Sequence, residues 1–218
     1  MYRKMTSEQA KKWAAEIIRR LRREYPDAAI ALNFNNPLEL LVATILSAQS
    51  TDRQINKITV DLFRKYLTVR DYARAERAEL EEDIRSSGFF RNKAKNIIAA
   101  AQKIEEEFKG KVPAVMEDLI ALPGVARKTA NIVLYHGFGK TEGIAVDTHV
   151  KRLAQRLGLS GQSDPVKIER DLMELLPRGQ WGPLNYRLIT HGRKICQAQK
   201  PCCGDCVLKN RCPAGSAY

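Results

Sequence analysis

The chain has 218 residues, 44% of them hydrophobic, which is enough to bury a core as one large domain or two small ones. Its 37 Lys and Arg outnumber its 25 Asp and Glu for a formal charge of +12, spread along the whole chain, so a polyanionic partner is expected, nucleic acid first and an anionic membrane surface second. No apolar stretch reaches the roughly 18 to 20 uncharged residues of a membrane span, and no apolar signal core precedes a small-residue cleavage site, so a cytoplasmic protein outside the membrane is expected.

Thr6 followed by Gln9 has the form of a capping box, and Ala10, Trp13, Ala14, Ile17, Ile18 and Leu21 recur at helical spacing until Tyr25-Pro26. Asn36 is placed to cap a second helix, with Pro37 and Glu39 in its first turn. Leu38 to Leu46 is apolar nearly all round, the mark of a helix at the centre of a helical core. Ser47-Ala48-Gln49-Ser50 makes a corner, where Gln49 taken alone reads as a capping or turn residue. Thr51 and Gln54 then open a third helix with Ile55, Ile58, Leu62 and Phe63 on one face. Tyr72 to Arg85 reads as a short helix and a longer one, ended by Ser86-Ser87-Gly88. Phe89 and Phe90 follow. Adjacent residues do not share a helical face, so one of the two is available to solvent or a ligand. From Asn92, Ala94, Ile97, Ile98, Ala101, Ile104 and Phe108 repeat at helical spacing, with Lys93 and Lys95 near the start, and Pro113 opens a short helix to Ala121.

Leu122 to Leu134 is the stretch around which the chemistry gathers. Pro123-Gly124 makes a tight turn, Gly124 is free to take a positive φ, and the amides after it are donors at a helix N-terminus where a phosphate can sit. Arg127 and Lys128 place two cations at a helix end that already carries partial positive charge. An amine held there against the dipole is a candidate nucleophile. Taken alone, the stretch is equally a loop between packed helices with surface charges.

Beyond Gly139 an apolar run ends in Asp147-Thr148-His149, with Asp147 placed as an N-cap for a helix that carries Leu153 and Leu157. Asp164-Pro165 starts another helix, which stops before Pro177, and a last one from about Pro183 leads into the cysteines. No alternating strand pattern is present, so the fold class is all-α. All five cysteines lie between Cys196 and Cys212, which argues for a local metal centre rather than a disulfide framework. Cys196, Cys203, Cys206 and Cys212 have the spacing C-x6-C-x2-C-x5-C and suit tetrahedral zinc or an iron-sulfur cube, zinc being slightly preferred on this chemistry alone, with Cys202 left over. Arg193, Lys194, Lys200, Lys209 and Arg211 surround them and favour docking on phosphates.

The hairpin with its lysine, the Val-Asp-Thr-His segment and the four-cysteine terminus, in this order, resemble the endonuclease III family of DNA glycosylases, from Leu46-Ser47-Ala48-Gln49 to Cys212. The resemblance implies two helical domains with a cleft between them. One is a six-helix domain over 30–140 containing a helix-hairpin-helix at about 119–135; the other is a discontinuous iron-sulfur domain from 1–29 and 141–218. It implies a [4Fe-4S] cluster on Cys196, Cys203, Cys206 and Cys212, reversing the preference for zinc, with no ligand role for Cys202. It implies base excision repair by a glycosylase and AP lyase that removes oxidised pyrimidines from duplex DNA, through a Schiff base on Lys128 with Asp147 as its partner and then β-elimination. Double-stranded DNA with a damaged pyrimidine or an abasic site is the partner implied, for a nucleoid-associated monomer without a membrane role. By the same resemblance Gln49 and Phe89 enter the duplex when the base leaves, with Phe90 as the other candidate wedge, while Gly124, Ala126 and Arg127 hold the backbone and His149 contacts phosphate or supports the site. Ala126 stands where family hairpins commonly have a second glycine, and its methyl group limits how closely a phosphate approaches.

Two other readings compete. A helix-hairpin-helix glycosylase of other base specificity usually lacks a lysine at the position of Lys128, and the adenine enzymes carry a further C-terminal domain. A non-catalytic DNA-binding iron-sulfur protein would need the cations and cysteines but neither Lys128 nor Asp147.

Overall fold

Caps legible in the sequence set several of the helix starts in the computed structural model, which describes residues 6–215; the outermost parts of the discontinuous domain inferred above, 1–5 and 216–218, lie outside the described residues. Thr6 and Gln9 form the reciprocal box, with Gln9 N–H donating to Thr6 Oγ1 at 3.3 Å and Thr6 N–H donating to Gln9 Oε1 at 3.0 Å, and α1 (Ser7–Glu24) follows. Asn36 accepts the Glu39 N–H at 2.9 Å to start α2 (Pro37–Leu46), whose residues from Leu40 to Leu46 are all buried. Thr51 caps α3 (Asp52–Lys65).

The next start falls earlier than the apolar pattern suggested. Thr68 and Asp71 form a second capping box, so α4 is Val69–Ala73 and Tyr72 lies near its end; α5 (Arg77–Asp83) and a 3-10 turn over Arg85–Ser87 complete the run to Gly88. The long α6 (Phe90–Phe108) packs against α4. The helix expected from Pro113 begins only at Met116, because Val115 is extended at φ −132° and ψ 141°; it is α7 (Met116–Ile120). Then come α8 (Arg127–Phe138), α9 (Thr148–Arg156) and α10 (Pro165–Leu175). The final helix, α11 (Trp181–Lys194), starts before Pro183, which a first turn tolerates because the N–H that proline lacks would be unpaired there. Among the described residues there is no strand, and no helix is long and apolar enough to cross a membrane.

The chain forms two compact units, Ala31–Glu142 and the pair of segments Met1–Ile30 with Gly143–Tyr218. The contiguous unit carries α2 to α8. Its core is α2 with α8 laid along it, and Gly137 lets the two approach, since a Cβ there would lie 3.4 Å from Pro37. The discontinuous unit closes Trp13, Ile17 and Leu21 of α1 over Leu153 of α9, Leu172 of α10 and Leu188 of α11, and Trp13 Nε1–H donates to Leu157 O at 2.7 Å within this core.

Candidate active site and cysteine centre

The hairpin is built by backbone geometry before any side chain acts. Leu122 N–H closes α7 on Leu119 O, Val125 N–H turns back to Leu122 O at 3.1 Å, and Gly124 between them has φ +77°. Glycine is required there twice over: alanine would hold a left-handed backbone, and its Cβ would come within 2.8 Å of Asn96 Cβ on α6. Gly124 is thus where the hairpin is pinned against α6. Val125 spends its N–H inside the turn, so the donors of the α8 N-terminus come later than the glycine.

Ala126 is the N-cap of α8, extended at φ −88° and ψ 166° rather than helical. This region is open to any L-residue, so alanine adopts it without strain. A poor N-cap has a consequence, because alanine offers no acceptor and α8 has no side-chain cap. The N-cap side chain therefore takes none of the first-turn amides, an arrangement that suits a phosphate. Arg127 is half-buried at the first position of the helix and Lys128 is exposed at the second.

Asp147 belongs to the other unit. It is the N-cap of α9 as expected, half-buried, with Oδ1 accepting the Val150 N–H at 2.8 Å. The bond engages one carboxylate oxygen and fixes the rotamer. His149, two residues on, lies against α11: a Cβ on Gly192 would fall 2.9 Å from its Nδ1, and Arg152 Nη2 donates to Nδ1 at 3.1 Å. This accounts for His149 as a packed side chain whose Nδ1 is an acceptor. Arg152 also donates to Gly192 O and to Cys196 O, each at 3.1 Å from Nη2. Arg156 reaches Gln197 O at 2.6 Å and Ala198 O at 2.7 Å. The helix that begins at Asp147 therefore grips the start of the cysteine loop, a link that sequence spacing does not reveal.

Cys196, Cys203, Cys206 and Cys212 are half-buried and line one cavity with Leu153, Arg156 and His191, whereas Cys202 is exposed and absent from the lining. No three His, Cys, Asp or Glu side chains among the described residues are gathered as a single-ion site. In a cube each thiolate binds a different iron, so four thiols around one cavity fit it without converging on a point. Burial pushes the Cys206 and Cys212 thiols up, and the neighbouring cysteines add to the shift; iron charge at the centre would reverse it. Donors already face the sulfurs. Leu208 N–H and Arg156 Nη1 approach Cys206 Sγ and Cys196 Sγ at 3.4 Å, and His191 Nε2 is 3.5 Å from Cys206 Sγ. Burial holds His191 down to about 4, so its ring is neutral; with Tyr25 Oη 2.9 Å from Nδ1, a phenol proton there leaves the Nε2–H for the thiolate. Arg193, Lys194, Lys200, Lys209 and Arg211 are all exposed around this loop.

Gln49 and Phe89 are both outward-facing, and both are left-handed, at φ 53° and 49°. Phe89 is 64% exposed and precedes α6, while Phe90 is half-buried inside the helix with the Arg91 guanidinium over its ring. Of the two aromatics, Phe89 is the one open to solvent.

A family model described as HhH-GPD superfamily base excision DNA repair protein matches residues 42–178. The chain is 54% identical to endonuclease III of Synechocystis sp. over 217 residues, covering 100% of this chain and 98% of that protein. Among solved structures it is similar to a non-covalent endonuclease III–DNA complex, with TM-score 0.91, 41% identity and 98% of each chain covered. It is also similar to a trapped covalent endonuclease III–DNA intermediate, with TM-score 0.90, 41% identity and coverage of 98% of this chain and 99% of that one.

Proposed function

We propose a reaction for this chain from one premise: it belongs to the endonuclease III family of the HhH-GPD superfamily of base excision DNA repair proteins. It is a DNA glycosylase and AP lyase, and its substrate is duplex DNA bearing an oxidised pyrimidine or an abasic site. The observation that carries the reading is Lys128, an exposed amine on the first turn of α8 beside uncapped helix amides. Those amides, with Arg127, take a phosphate of the damaged strand and so bring the sugar to the amine.

The neutral Lys128 amine attacks C1′ of the flipped nucleotide and the base departs with the bonding pair. Loss of the amine proton and opening of the sugar give an iminium between Nζ and C1′. The iminium withdraws electrons from C2′, a base removes a C2′ proton, and the C3′–O bond breaks to release the 3′ phosphate; hydrolysis then returns the amine. Asp147 accepts a proton or balances positive charge growing on the sugar, its carboxylate held by the N-cap bond to Val150. Gln49 and Phe89 fill the space that the base leaves. His149 supports α9.

Cys196, Cys203, Cys206 and Cys212 hold a [4Fe-4S] cluster, which crosslinks the loop that Arg152 and Arg156 fasten to α9. None of the bond changes above involves it. Anaerobically purified protein is expected to contain four iron and four sulfide per chain, about the full complement; stoichiometric zinc without sulfide would overturn the assignment.

Borohydride tests the reaction itself. Reduction during turnover on a thymine glycol or abasic duplex is expected to leave a covalent protein–DNA adduct, since it converts the iminium to a stable amine. Base release without any adduct would show a glycosylase that uses water in place of Lys128.

A further inference from the structure

Lys93 is a buried charge with no part in that chemistry. It lies in the first turns of α6, 4% exposed, and its Nζ donates to Leu46 O at 2.7 Å and to Ser87 O at 2.8 Å. Its partners are carbonyl dipoles and not a carboxylate. Burial pushes its amine down to about 8, so the ammonium is kept there at a cost that an apolar side chain would avoid. What it joins explains why it is kept. Leu46 ends α2 three residues before Gln49, and Ser87 stands two residues before Phe89, so one ammonium holds the roots of both outward segments. A second tie lies beside it, from the first turn of α3 to the 3-10 turn: Gln54 Nε2–H donates to Ser86 Oγ at 2.9 Å.

The two segments share a further property. Among the described residues the left-handed non-glycine positions are Gln49, Phe89 and Lys109. Lys109 is a helix C-cap, where this conformation is ordinary; Gln49 and Phe89 have no such reason. Each carries a backbone cost, which persists only where the surroundings over-determine it. Both side chains point outward from segments fastened to the same buried amine.

We infer that Lys93 is a positioning residue that sets Gln49 and Phe89 as a matched pair, by holding Leu46 O and Ser87 O on one ammonium, so that both enter a damaged duplex without first being ordered. This rests on the reading that Gln49 and Phe89 enter the duplex. Pre-ordering lowers the entropy cost of insertion, and its loss falls on recognition of the lesion rather than on phosphate contacts.

The test uses a duplex with a tetrahydrofuran abasic analogue, which cannot form a Schiff base, beside the same duplex undamaged, both measured by fluorescence anisotropy. Lys93→Met, with its fold checked by circular dichroism, is expected to weaken binding to the analogue on the order of tenfold. Undamaged duplex stays within about twofold, being held through phosphates. Should that variant not fold, Lys93→Gln takes its place. In a Gln49→Ala/Phe89→Ala background the Lys93 substitution is expected to add nothing, because a positioning residue acts only through what it positions; a structural defect would add in full. Full additivity, equal loss on both duplexes, or no loss overturns the role of Lys93. If the Gln49→Ala/Phe89→Ala protein itself still discriminates between the duplexes as the native chain does, the insertion reading fails and takes the proposal with it.

Discussion

Lys128→Ala is expected to abolish the borohydride adduct and to slow strand cleavage by on the order of a thousandfold or more, the scale on which removal of a covalent nucleophile acts. The fold gives no other route to that result. Lys128 is exposed at the second position of α8, alanine is a strong helix former, and removing a cation from the positive end of a helix leaves stability unchanged or slightly raised. Binding to undamaged duplex is expected to weaken only a little, since Arg127 and the amides of the α8 first turn remain. Lys128→Arg is expected to fail as well, because a guanidinium keeps its proton and has no free pair to offer C1′. Quantifying the adduct by gel at equal protein, with unfolding midpoints alongside, separates chemistry from folding. An undiminished adduct in Lys128→Ala would assign the Schiff base to another amine.

Asp147→Asn is expected to lower base release on the order of 10²- to 10⁴-fold, the range for a positioned acid or base. The substitution is nearly silent in the fold. Asparagine caps helices as well as aspartate does, so its Oδ1 still accepts the Val150 N–H and α9 keeps its start. Asp147→Ala removes the cap as well, at about 0.5–2 kcal/mol, and so mixes two effects. Single-turnover rates of the asparagine variant, read beside an unchanged unfolding midpoint, measure the carboxylate charge alone. Native-like rates would leave Asp147 as a helix cap and nothing more.

Where the sequence was readable, it was so through local rules. Thr6 with Gln9, Asn36 with Glu39, and Asp147 are caps whose partners lie three residues on, and each appears as expected. Thr68 with Asp71 obeys the same rule, but the helix it caps is five residues long and shows too few apolar residues to mark a period. Lys93 was legible too, since Lys93, Ile97, Ala101 and Ile104 fall on one helical stripe and the lysine thus sits in line with the core. Its partners were not, being carbonyls of two distant segments. Arg152 and Arg156 are hidden in the same way, because contacts made across 40 residues or more leave no spacing to read. The left-handed turns at Gln49 and Phe89 were beyond reach, as neither residue type favours that region and the strain is imposed by their surroundings. The four cysteines stood out by spacing, and the exposed Cys202 was separable from them only by matching a pattern.

The way the discontinuous unit is divided along the chain has a consequence during synthesis. Trp13, Ala14, Ile17 and Leu21 of α1 leave the ribosome first, yet the faces that cover them, on α9, α10 and α11, follow only after Ala31–Glu142 has been made. At typical elongation speeds that is a wait on the order of ten seconds, with an apolar stripe uncovered and open to chaperones. The contiguous unit meanwhile has its whole core in hand. The first helix to be made is therefore the last to be buried, and the half of the molecule that carries Lys128 is complete in sequence before the faces that cover α1 exist.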